Sequence, residues 1–172
     1  MIMTTRITIV VLLAFVLGLA AARAEPVSRR EVLAAIAVLE RDVTSRDAPQ
    51  AAETVTRFGK ESDAVLITIG EETLPWMQED APEAEATARA MLTAAYFAGD
   101  IKAQLARRRA ADDPYSGWLA AIQAYRQIRR KEPDMVIPEI EQLIEREQAG
   151  TLRDDAERMR RQDGREQQSN MV

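Results

Sequence analysis

Three pairs of adjacent carboxylates, Glu71–Glu72, Asp112–Asp113 and Asp154–Asp155, are the residues of this sequence best suited to acid–base chemistry. Cleavage of a glycosidic bond needs two carboxyl groups facing each other across a cleft at roughly 5–9.5 Å, one of them holding its proton at neutral pH. Neighbours in sequence seldom meet that geometry. Each pair also stands at an expected helix boundary, where an acid satisfies free backbone N–H groups. The pairs are therefore read as caps, and a carboxylate-based hydrolase of cell-wall glycan is kept as an alternative function. Other catalytic equipment is missing. Without histidine or cysteine the chain has no Ser-His-Asp or Cys-His centre, no thiolate zinc site and no disulfide. It contains neither an EF-hand loop nor a glycine-rich phosphate loop. No cofactor and no metal are expected.

Two arginine groups form the second set of candidates: Arg107, Arg108 and Arg109, and then Arg126, Arg129 and Arg130 followed by Lys131. Both fall at the C-terminal ends of expected helices, where cations offset the helix dipole. They could also grip phosphate or carboxylate, and binding of an anionic lipid or lipopolysaccharide is a further alternative. The formal charge is −5, an acidic balance that disfavours nucleic acid as a partner. Trp76, Tyr96, Tyr115, Trp118 and Tyr125 complete the candidates. Such a set is either the core of a small helical domain or the lining of a groove for a protein or peptide.

The elements that must position these residues read as helices. In Asp113–Lys131, Tyr115, Trp118, Ile122 and Tyr125 recur on one face, Asp113 and Pro114 open the helix, and Pro133 closes it. Ser28 and Glu31 make a capping box for a first helix reaching about Arg46, and Asp47-Ala48-Pro49 starts a second, with Gly59 as its stop. From Pro82 one apolar stripe runs unbroken to Leu105 across Gly99. Ala95, Gly99 and Ala103 form a small-residue groove on it that another helix can enter. Pro138 and Thr151 open two more helices, separated by Gly150. Residues 62–70, SDAVLITIG, have a β-branched run that suits a strand. With no strand to pair with, they are read as a short buried helix.

These signals predict an all-α single domain of stacked helical hairpins, about six to seven helices over 25–161, with a disordered polar tail over 162–172. Met1–Ala24 has a short basic n-region at Arg6, an apolar run and the small-residue site Ala22-Arg23-Ala24. That is the pattern of a signal peptide cleaved after Ala24, leaving no stable membrane anchor. Alanine and arginine bias suggests a bacterium. The functional expectation is an exported, non-enzymatic helical protein, periplasmic or secreted, that binds a protein or peptide partner in the bacterial envelope.

Overall fold

A computed structural model describes residues 25–77 and 82–169, with side chains described as far as Arg161. The expected signal peptide lies outside the described residues. Among the described residues the regular structure is wholly helical. α1 (Arg29–Arg41) and α2 (Ala48–Glu61) form an N-terminal hairpin. A 3-10 turn (Glu83–Glu85) leads into α3 (Ala86–Arg107), which packs along α4 (Pro114–Lys131). α5 (Pro138–Gln148) and α6 (Leu152–Ser169) then pack against α4.

The helix boundaries follow local chemistry. Ser28 and Glu31 close the capping box reciprocally, with Ser28 N–H donating to Glu31 Oε2 at 2.8 Å. α1 stops at Arg41, earlier than its apolar spacing suggests. Asp42 turns the chain by accepting from Thr44 N–H at 2.9 Å, and this local bond competes with a further helical turn. α5 ends in a Schellman motif: Gly150 is left-handed at φ +74°, its N–H reaches Glu147 O, and Thr151 N–H reaches Arg146 O. α3 ends the same way with Arg108 in the glycine position, at φ +53°.

The centre of the fold is the antiparallel α3–α4 pair, whose close approach is set by small residues. A side chain at Gly99 would collide with the Ser116 carbonyl and meet Ala120 Cβ at 2.6 Å, and one at Gly117 would meet the Tyr96 ring at 2.5 Å. The Ala95–Gly99–Ala103 groove is thus filled by α4, and Gly99 sits inside one continuous helix. Its intrinsic cost of about 1 kcal/mol is offset by the contact it permits. Leu92, Tyr96, Ile101, Trp118, Ile122 and Tyr125 form the buried centre, covered by Ile36 and Val55 on one side and Ile140 and Leu152 on the other.

Three further expectations differ from the structure. Residues 62–70 are not helical; they run in an irregular connection between α2 and the 3-10 turn. Gly59 does not stop α2, which continues to Glu61; instead it makes room for Ile67, whose Cδ1 would lie 2.8 Å from an added Cβ. At the other end, the backbone remains helical through residues 162–169, assigned by sequence to the tail. Arg, Gln and Glu are good helix formers, so lack of apolar anchors does not by itself end a helix. No described helix is long and apolar enough to cross a membrane.

Candidate functional site

The feature that the helices serve to position is the non-helical strap over residues 62–77. Four side chains from the α3–α4 unit hold its main chain. Gln104 donates from Nε2 to Leu66 O at 2.7 Å and accepts Leu66 N–H on Oε1 at 2.9 Å, the pair of bonds a neighbouring strand would make. Asp112 Oδ1 accepts Thr68 N–H at 3.3 Å. Trp118 Nε1 donates to Thr73 O at 2.9 Å, and Arg89 donates to Trp76 O at 2.5 Å. Between these bonds Val65, Leu74 and Trp76 are buried as apolar anchors. The strand-like composition of the strap is therefore real, and its partners are side chains.

Behind the strap lies an acid pair. Asp100 is 0% exposed at mid-helix in α3, beside buried Gln104, Asp112 and Asp113. Its Oδ1 accepts from Gln104 Nε2 at 2.7 Å and from Asp113 N–H at 2.9 Å. Burial, followed by the hydrogen bond to the Asp112 carboxyl and its charge, pushes the Asp100 carboxyl up to about 8, against the smaller opposing pull of Gln104 and Arg107. A hydrogen bond between two carboxyl groups needs one proton. Burial beside Asp112 thus holds the Asp100 carboxyl toward its protonated form at neutral pH. Gln104 relays this arrangement to the strap, since it contacts both Asp100 and Leu66.

The sequence-derived acids thus separate in role. Asp113 caps α4, accepting Ser116 N–H at 3.2 Å and pairing with Arg107. Asp112 belongs to the buried pair. Glu71 and Glu72 are exposed on a turn of the strap, and Asp155 pairs with Arg158 at 2.8 Å in the first turn of α6. Asp100 and Gln104 had a signal that the helical reading passed over. They continue the four-residue spacing of Leu92 and Tyr96 into a buried stripe, where a polar residue must have a buried partner.

The aromatic candidates are placed in the core. Trp76, Tyr96, Trp118 and Tyr125 are each at most 1% exposed, and the polar atoms of Trp76, Trp118 and Tyr125 fasten main chain or side chains internally. Trp76 Nε1 donates to Thr93 Oγ1 at 3.0 Å, and the Tyr125 hydroxyl donates to Glu141 at 2.8 Å while accepting Ile137 N–H at 3.1 Å. The stripe that gathers them on one helix face turns that face inward, so these four offer little surface to a partner. Tyr115 is half-buried, with Arg153 stacked 4.2 Å from its ring centroid.

The arginine candidates do not converge. Arg107, Arg108 and Arg109 close α3 and Arg126, Arg129 and Arg130 close α4, and the antiparallel packing puts these ends at opposite poles, roughly 27 Å apart for an 18-residue helix. Arg126 pairs with Glu147 at 2.7 Å and Arg129 with Glu141 at 2.7 Å. A groove of about 750 Å³ lies between the strap turn, α5 and α6, faced by Glu72, Glu139, Arg146, Asp155 and Arg158. Glu139 there pairs with Arg89 and Asp155 with Arg158. Comparison with known proteins finds no matching family, curated protein or solved structure.

Proposed function

We propose that this is an exported protein that binds a protein or peptide partner through the strap. The observation that carries the reading is where apolar side chains are exposed. Leu66, Ile69 and Met77, at 51%, 61% and 55% exposure, all stand on this one segment. Exposed apolar groups gathered on one segment mark interaction surfaces, whereas single ones such as Leu33 need no explanation. Their backbone is already fixed by Gln104, Asp112, Trp118 and Arg89, so a partner that docks there incurs little ordering cost. The export part of the reading is supported by the n-region, apolar run and cleavage site in Met1–Ala24.

A photo-crosslinking amino acid placed in turn at Leu66, Ile69, Met77 and Leu33 tests this in cells. The three strap positions are expected to give one adduct of common mass, and Leu33 none. The double substitution Leu66→Ser with Ile69→Ser should abolish the Met77 adduct while changing stability by no more than about 0.5 kcal/mol per exposed site. Equal labelling from Leu33, or no adduct from any strap position, refutes the proposal.

A further inference from the structure

The hydrogen bonds of the strap alternate. The amides of Ala64, Leu66, Thr68 and Gly70 all donate, to Ser62 Oγ, Gln104 Oε1, Asp112 Oδ1 and Thr73 Oγ1 respectively. The amides and carbonyls of Val65, Ile67 and Ile69 have no hydrogen-bond partner among the described residues. The Ala64 and Gly70 bonds are local turn contacts, while Leu66 and Thr68, two residues apart, are held from outside the strap, the spacing at which an extended chain addresses one edge. Side-chain burial follows it at the start of the run: Val65 is buried and Ile67 packs on the core, while Leu66 is exposed. Buried main-chain polar groups almost always pair, and the unpaired amides and carbonyls of Val65, Ile67 and Ile69 form an open edge. It is one edge of an extended segment whose other edge is held at Leu66 and Thr68 by Gln104 and Asp112.

We propose that Val65–Ile69 is a β-augmentation site, to which a partner adds one extended segment that is apolar in its middle and cationic at its ends. This rests on the strap being the binding face and specifies how that face binds. Backbone pairing along the open edge supplies the affinity of such sites, and alternate side chains supply the specificity. The charges choose the occupant. Exposed Glu61 and Asp63 stand before the open edge and exposed Glu71 and Glu72 after it; Lys60 adjoins the first pair, and Glu61 lies 4.0 Å from Arg57, so Asp63 and Glu71 are the acids left to choose an occupant. A second copy of the chain, paired antiparallel about Ile67, would set Asp63 opposite Glu71, and like charges across a strand pair are unfavourable. Lysine or arginine at both ends of a partner strand removes that repulsion and replaces it with attraction.

Hydrogen exchange followed by NMR on the intact protein reads each amide separately. The probe is a synthetic peptide, Lys-Thr-Val-Thr-Val-Thr-Lys, with a Glu-ended version as control. In the free protein, Leu66 and Thr68 should exchange slowly and Val65, Ile67 and Ile69 fast. The Lys-ended peptide should slow the three fast amides about tenfold or more and leave the others unchanged, and Ile69→Pro, which removes one open-edge donor, should weaken the effect. Slow exchange of Val65 and Ile67 in the free protein overturns the proposal. So does equal protection by the Glu-ended peptide, or none by the Lys-ended one. If the strap crosslinks a cellular partner while its amides stay unprotected by the peptide, the binding face stands and the strand-addition mode is wrong.

Discussion

Replacing Asp100 by asparagine should make this protein more stable at neutral pH. Asn keeps an acceptor for Gln104 Nε2 and Asp113 N–H, and its Nδ2 supplies the hydrogen that the acid pair otherwise takes from water as a proton. The magnitude follows from linkage. The folded protein holds the proton up to about pH 8 and the unfolded chain releases it near 3.8. Between those limits the folded state binds more protons than the unfolded state, so stability falls as pH rises, by about 1.4 kcal/mol per unit. At pH 7 the accumulated loss relative to acid is at most roughly 4 kcal/mol, and Asp100→Asn should recover much of it.

Urea titration of parent and variant at pH 5, 6, 7 and 8 reads this directly. The two curves of stability against pH should diverge, the parent falling and the variant staying near level. Two other shifted carboxylates do not confound the window. Glu31 and Asp42 are held below their usual values by hydrogen bonds from Ser28 and Thr44; their contribution is present above about pH 4.5 and lost only below it. Parallel curves from pH 5 to 8, or a variant less stable than the parent at pH 8, would show that Asp100 does not hold a proton there. Asp100→Ala serves as the contrast: it strands Gln104 and the Asp113 amide, each at about 1–3 kcal/mol, and should destabilise at every pH.

Gly99→Leu should destabilise by about 3 kcal/mol or more, seen as a lowered urea midpoint, because α4 backbone stands where its Cβ must go. Arg108→Gly should stabilise by about 1 kcal/mol in the same assay, by relieving the left-handed conformation of a residue with no ion pair among the described residues. Gln104→Leu should raise the exchange rate of the Leu66 amide well above that of Trp118 Nε1, since only the former loses its partner.

How far the sequence could be read depends on the range of the interaction that decides each feature. Helix existence rests on 3.6-residue periodicity and on caps within a few residues, and Ser28–Glu31, Asp113–Pro114 and Gly150 act where their neighbours place them. The Ala95–Gly99–Ala103 groove was legible too, because small residues at four-residue intervals are a local pattern with one structural use. The strap was not. Its strand composition conflicted with the lack of a second strand, and resolving the conflict toward helix assumes that only a backbone can pair with a backbone. Gln104 presents the same donor and acceptor as a peptide group, from a residue 38 positions away. Asp112 does half as much for Thr68. Both look like ordinary helix-end polar residues until α3 and α4 are packed, because their partners are chosen by the fold. For the aromatic residues, spacing located a common face and left core or groove lining as its use; packing turns that face inward for Trp76, Tyr96, Trp118 and Tyr125. Burying Trp76, Trp118 and Tyr125 leaves their polar atoms to tie down Thr93, Thr73 and Ile137. Trp118 is thus one of the groups that hold the strap in place, and the large apolar side chains left exposed on the strap are Leu66, Ile69 and Met77.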